Sequence, residues 1–255
     1  MTRIRVERSG AVGRIVLARP EKKNALDLTA ALELQEACRA FASDREIRVV
    51  LLASSGADFC AGADLGALYA MLDADVATHR RDADALGDVF RALRDLPQVV
   101  VAAVRGRALA GGAGLATACD IVLAHEGAVL GYPEVRVGFV PAMVMALLRR
   151  QIGEKRAFEL VATGRQVGAR EALELGLVSR VVGDGEFDAA VEQLLTELSA
   201  LAPEALQHTK RLFYDLDGLP IDEGLSLAAQ VNVEGRFTSA FRDAVRRFAK
   251  QPPKP

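Results

Sequence analysis

The sequence predicts an α/β protein whose last third turns almost wholly helical, and three observations predict it. Short β-branched runs recur at Arg14 to Ala18, Ile47 to Ala53, Gln98 to Val104, Ile121 to Ala124 and Val178 to Val182, each bounded by Gly, Pro or charged residues. Between the first two, Leu28, Ala31, Leu32, Cys38 and Phe41 return at helical spacing behind Asp27, a residue type that caps helices, so strand, helix, strand is the expected order. From Glu154 onward the pattern becomes helix after helix, over 154 to 163, 169 to 175, 186 to 201, 203 to 216, 221 to 234 and 236 to 250. Alternating strands and helices imply a layered α/β body. The longer late helices carry an apolar stripe that must be covered by another helix or another subunit.

At 255 residues and 51% hydrophobic content the chain has ample material for a buried core, and no interdomain linker or internal repeat is visible in it. Its most apolar stretches, Val99 to Val104 and Ala142 to Leu148, fall well short of the ~20 residues a membrane-spanning helix needs. Residues 1 to 10 carry Arg3, Arg5, Glu7 and Arg8 and no apolar segment, unlike a secretory signal, which predicts a cytoplasmic protein. Cys38, Cys60 and Cys119 are odd in number, far apart and without a CxxC pair, so they read as small buried side chains, with neither a disulfide framework nor a metal site indicated. A net charge of −2 with mixed signs gives no electrostatic reason to expect nucleic acid, and the absence of Trp leaves few stacking platforms.

Two Gly-rich stretches follow predicted strands: Phe59 to Leu65, and Arg105 to Gly114. Small residues let a ligand approach the main chain, and a helix starting near Gly111 would aim free N–H groups at a developing negative charge. That is the equipment of an oxyanion hole. Either stretch alone reads first as a tight turn with close helix packing, and neither matches GxGxxG or a Walker loop.

Taken in order, Arg19 to Leu26, Phe59 to Leu65, Ala108 to Asp120, Pro133 to Gly138 and Glu171 to Val178 resemble the successive signatures of the enoyl-CoA hydratase/isomerase, or crotonase, superfamily. The resemblance implies a spiral of β-β-α units over residues 1–200 and a C-terminal helical trimerisation region over 201–255 in the same functional unit, giving a homotrimer or dimer of trimers. It implies an acyl-CoA thioester as substrate and partner, with coenzyme A belonging to that substrate and no separate cofactor. Ala63 and Gly111 would supply the oxyanion amides. Lys23, Ala25, Ala61, Asp64 and Leu65 would lie along the CoA moiety, and Lys250 near its phosphates. Asp64 reads equally as a helix cap, and Lys23 and Lys250 as solvated charges. Enolate chemistry beside a thioester fits this equipment, since negative charge gathers on the carbonyl oxygen and one fixed donor there contributes ~3 kcal/mol.

Proton transfer needs a side chain. Typical hydratases of the family use two glutamates. Here Glu134 matches one position, and the other falls on Gly114, where no carboxylate is possible. A lone carboxylate suits a Δ3,Δ2-enoyl-CoA isomerase. Hydration would require Glu134 to manage the water alone, or a group from the segment 69 to 88 to enter the pocket, where Asp73, Asp75, His79, Asp82 and Asp84 are candidates but read by default as a solvated face. Gly114, Tyr132 and Phe139 are expected to line the acyl pocket, Tyr132 either orienting water or packing. His125 and His208 suggest no triad, and Asp120 reads as holding a turn. The leading expectation is an enoyl-CoA hydratase with Glu134 as acid and base. The isomerase is second, and an acyl-CoA-binding or RNA-binding relative without turnover third.

Overall fold

The β-branched runs become the inner strands of one sheet. The computed structural model describes residues 2–249. In chain order its elements are β1 (Ile4–Ser9), β2 (Val12–Leu17), α1 (Leu28–Ala42), β3 (Val49–Ser54), α2 (Leu65–Ala70), α3 (Val76–Asp95), β4 (Val99–Val104), β5 (Arg107–Leu109), α4 (Gly111–Ala118), β6 (Ile121–His125) and β7 (Val129–Gly131). There follow α5 (Ala142–Gln151), α6 (Glu154–Thr163), β8 (Gln166–Gly168), α7 (Ala169–Leu175), β9 (Arg180–Val182), α8 (Phe187–Ser199), α9 (Pro203–Asp215), α10 (Ile221–Arg236) and α11 (Ser239–Ala249).

The large sheet has the order β1-β2-β3-β4-β6-β9, parallel throughout except that β1 runs antiparallel to β2. All six residues of β4 are buried, as expected of a strand covered on both faces. Its neighbour β3 shows why such runs are continuously apolar. Val50 and Leu52 enter a core with Leu34, Phe41 and Phe90, whereas Val49 and Leu51 enter a second core with Phe187, Val191 and Leu194 of α8. The edge strand β1 escapes prediction because only Ile4 is buried and the rest is solvent-facing.

A second, three-stranded sheet, β5-β7-β8, is built of three-residue strands too short to show a period. Isolated bridges between Leu26 and Ala63 and between Cys60 and Ala108 extend its line. Each turn of the chain thus lays a long strand in one sheet, a short segment in the other, then a helix: β2, Leu26 and α1; β3, residues 60–63, α2 and α3; β4, β5 and α4; β6, β7 and α5. This winding is the expected spiral, a structural repeat without a sequence repeat.

The late helices fall close to their predicted bounds. Lys210 of α9 docks them onto the sheet: its buried ammonium reaches the carbonyls of Leu93 (3.2 Å) and Gln98 (3.0 Å) and the carboxylate of Asp120 (2.8 Å). Asp120 also accepts from the Val100 amide and the Tyr214 hydroxyl, so it does hold the entry to β6. Phe213 of α9, Ile221 and Leu225 of α10, Phe237 just after α10 and Phe248 of α11 remain exposed within the single chain. Burial pushes the thiols of Cys38 and Cys60 up to about 12 and that of Cys119 well above its ordinary value, which leaves all three unreactive. Among the described residues, no helix is long and apolar enough to cross a membrane.

Candidate active site

The Ala63 and Gly111 segments lie side by side because the main chain is pinned there. Leu26 donates to the Gly62 carbonyl and accepts from the Asp64 amide, both at 2.7 Å, so it brackets Ala63 and turns the Ala63 N–H to the opposite side. Cys60 donates to the Arg107 carbonyl and accepts from the Leu109 amide, both at 2.9 Å, fastening the first Gly-rich loop to β5. Gly62 has φ +95°, and a Cβ there would stand 2.8 Å from the Ala110 Cβ and 3.0 Å from the Leu109 carbonyl oxygen. A Cβ on Gly112 would stand 2.3 Å from the Cys60 carbonyl oxygen. Only glycine permits this approach.

Gly111 opens α4, where the first amides have no partner in the helix. Ala110 before it sits at φ 52°, ψ −125°, a conformation that costs a residue with a Cβ ~1–3 kcal/mol. It is held there by its own amide on the Gly131 carbonyl (2.8 Å) and by the Gly114 amide on its carbonyl (3.0 Å). Neither Ala63 nor Gly111 donates its N–H to any acceptor among the described residues. Both amides are therefore free on adjoining segments, as an oxyanion hole would need.

The segment before α1 forms the rim. Lys23 and Asn24 both adopt left-handed backbone, and the buried Asn24 side chain secures the turn by donating to the carbonyls of Ser55 (2.9 Å) and Asp58 (2.8 Å) and accepting from the Arg19 amide (2.8 Å). The Lys23 carbonyl takes the Ala61 amide at 3.0 Å, which aligns Lys23 to Ala25 with Ala61 to Ala63. Lys23 and Leu65 are exposed, and Ala25 and Ala61 half-buried.

Asp64 corrects the expectation of a CoA contact. It caps α2 through the amides of Gly66 (2.8 Å) and Ala67 (3.3 Å), and its other oxygen meets Arg19 at 2.9 Å. Burial pushes its pKa up, but those amides and the charges of Arg19 and Lys22 outweigh it and hold the carboxylate below its ordinary range. Arg19 also pairs with Asp27, the cap of α1, at 3.0 Å, so one guanidinium ties two helix starts across the bridge at Ala63. Arg19, Asn24 and the bidentate Asp58–Arg107 pair were missed by sequence reasoning. Only Asn24, an αL-tolerant type between Lys23 and Ala25, carried a local signal. Lys250 lies outside the described residues.

Glu134 stands in the 3-10 turn Pro133–Val137, which leaves β7 two residues after the Gly131 carbonyl that anchors Ala110. It is 9% exposed, and its Oε2 is buried without a hydrogen-bond partner. Burial raises its pKa, opposed only by its own amide. An orphaned carboxylate oxygen costs stability, which singles Glu134 out as a candidate for proton transfer. The Gly114 position is filled rather than empty, since a Cβ there would stand 2.5 Å from the Phe90 ring. The acid of typical hydratases has no room at that point.

Tyr132 corrects another expectation. It is fully buried with its hydroxyl 3.1 Å from Thr117 Oγ1, so it packs behind Glu134 and lines no open surface. Gly114 is likewise buried, and the wall expected of it belongs to Phe90. Phe139 is 59% exposed just beyond Glu134, whose carbonyl accepts its amide at 3.0 Å. A cleft of about 820 Å³ lies between α3, α5 and α9, and Phe90 stands between it and Gly114.

The acids of α3 divide clearly. Asp75 caps the helix through the Thr78 amide, Asp84 pairs with Arg80 at 2.7 Å, and Asp73 and His79 are exposed. Asp82 alone is half-buried and without a hydrogen bond or ion pair among the described residues.

A family model for enoyl-CoA hydratase/isomerase matches residues 7–251. A Thermus thermophilus protein named "Putative enoyl-CoA hydratase" is 40% identical over 98% of this chain and 99% of its own. The crystal structure of an enoyl-CoA hydratase from Mycobacterium smegmatis superposes with a TM-score of 0.93 at 30% identity, covering 99% of this chain and 98% of that one. An enoyl-CoA hydratase from Bacillus anthracis gives 0.91 at 30% identity over 97% and 96%. Winding, motif order and sequence agree: the chain belongs to the enoyl-CoA hydratase/isomerase family.

Proposed function

We propose that the chain adds water reversibly to a 2-enoyl-CoA, giving a 3-hydroxyacyl-CoA, through an enolate held by the amides of Ala63 and Gly111. The observation that carries this reading is the buried, unpartnered Oε2 of Glu134, in the turn that follows the Gly131 carbonyl on which Ala110, the residue before Gly111, is anchored. The thioester oxygen accepts both N–H groups, and the charge that reaches it as C3 is attacked is stabilised there. Glu134, whose hold on a proton is strengthened by burial, delivers a proton to C2. The CoA moiety runs along Lys23, Ala25, Ala61 and Leu65, with Phe139 against the acyl chain. The exposed apolar side chains of α9 to α11 support a trimer built through those helices.

A second reading is favoured by Phe90. With position 114 filled by that ring, one carboxylate moving a proton between C2 and C4 of a 3-enoyl-CoA is the simplest chemistry, and the product is the 2-enoyl isomer. Loss of the conjugated enoyl absorbance of crotonyl-CoA on mixing with the protein supports hydration. Appearance of that absorbance from 3-hexenoyl-CoA, with no change in crotonyl-CoA, replaces it by isomerisation.

A further inference from the structure

We propose that Asp82 is the group that handles water beside the paired amides, a role that position 114 leaves unfilled; this rests on the hydration reading above. Asp82, Leu86 and Phe90 lie four apart on α3 and so share one face. That face is the one turned to α4. The side-chain position at Gly111 meets Leu86 at 3.6 Å, and the one at Gly114 meets Phe90 at 2.5 Å. Because the numbers rise together, α3 and α4 advance in the same sense at this contact. One turn back from Leu86, about 6 Å along the axis, therefore carries Asp82 past the first residue of α4, on the side to which the free Gly111 N–H is directed. Helical side chains lean toward the N-terminus, which takes the carboxylate further that way.

Leu26 gives a second bearing. Its Cδ1 is 3.5 Å from the side-chain position at Gly111, and its main chain brackets Ala63. The next residue, Asp27, acts electrostatically on Asp82, as does His79 from its own helix. Both bearings direct Asp82 toward the amide-bearing segments. It is half-buried and forms no hydrogen bond or ion pair among the described residues, whereas Asp27 is paired with Arg3 and Arg19. Burial first, then the Asp27 charge, raises its pKa against the pull of His79, which makes it a better base for water than an ordinary surface aspartate.

The step balances. Asp82 takes one proton from water as the water oxygen bonds to C3, and the C2–C3 π pair moves through C2 to the thioester oxygen under the two amides. Protonated Glu134 then gives its proton to C2 as the carbonyl re-forms, and solvent returns the proton from Asp82 to Glu134. The net change is one water added.

The test compares hydration of crotonyl-CoA with exchange of the C2 hydrogens of butyryl-CoA in D2O, which needs only the amides and Glu134. Asp82→Asn is expected to lower kcat for hydration by about 10²-fold or more, to leave KM within about twofold and to leave the exchange rate unchanged, with Asp82→Glu recovering part of the loss. Hydration at the wild-type rate in Asp82→Asn overturns the proposal, as does a parallel loss of exchange, which marks a structural role. A wild-type protein that exchanges but adds no water also overturns it, while leaving Glu134 in place. If Glu134→Gln exchanges and hydrates normally, the failure lies instead in the enolate reading beneath it.

Discussion

Two carboxylates of nearly equal burial, Asp64 at 7% and Glu134 at 9%, sit in adjoining corners of the molecule and are treated in opposite ways. Asp64 has two amides and a guanidinium and is held ionised, while Glu134 keeps a buried oxygen with no partner and is held toward its protonated form. The first corner spends its charge on geometry, fixing two helix starts around Ala63. The second leaves its charge unspent, which destabilises the fold locally and keeps a proton available. Burial alone therefore does not separate a structural acid from a chemical one. The partners do.

Exchanging the two roles should give the largest effect. Glu134→Gln should reduce turnover by about 10²–10⁴-fold while leaving the affinity for a CoA ester unchanged by calorimetry, because only proton transfer is lost. Restoring the second acid should fail for want of space. Gly114→Glu forces its Cβ into the Phe90 ring and should cost about 1–3 kcal/mol in denaturant unfolding, and Phe90→Ala added to it should recover part of that loss. Asp64→Asn keeps the volume but weakens a cap and an ion pair, so a loss of about 1 kcal/mol with a smaller fall in activity than Glu134→Gln is expected.

The smallest effect concerns stability against pH. Glu134 binds its proton more tightly folded than unfolded, so its contribution to stability is complete below the ordinary carboxylate range and is lost as pH rises through the folded value. Glu134→Gln does not incur that loss. Its Tm should exceed wild type at pH 8, and the gain should vanish toward pH 4. A gain that grows on acidification contradicts the burial argument.

Much of this was legible in the sequence. The inner strands were, because a sheet covered on both faces demands continuous β-branched runs, and so was the family, because its motifs stand in order along the chain. The small sheet was not, since three residues cannot display a period of two. The spiral repeat appears only in the winding, because each turn fills its short strand with different residues. For Asp64 and Tyr132 the sequence left an outward role and a structural one equally open for want of their partners: Arg19 lies forty-five positions away from Asp64 in the chain, and Thr117 lies on a helix packed behind Tyr132. The filling of position 114 was equally invisible, because Phe90 reaches it from a different helix.

The proposed chemistry depends on two main-chain amides converging on one thioester oxygen. In a crystal structure with butyryl-CoA bound, that oxygen should stand within about 3 Å of both the Ala63 and Gly111 nitrogens. An oxygen beyond hydrogen-bond reach of either nitrogen contradicts it.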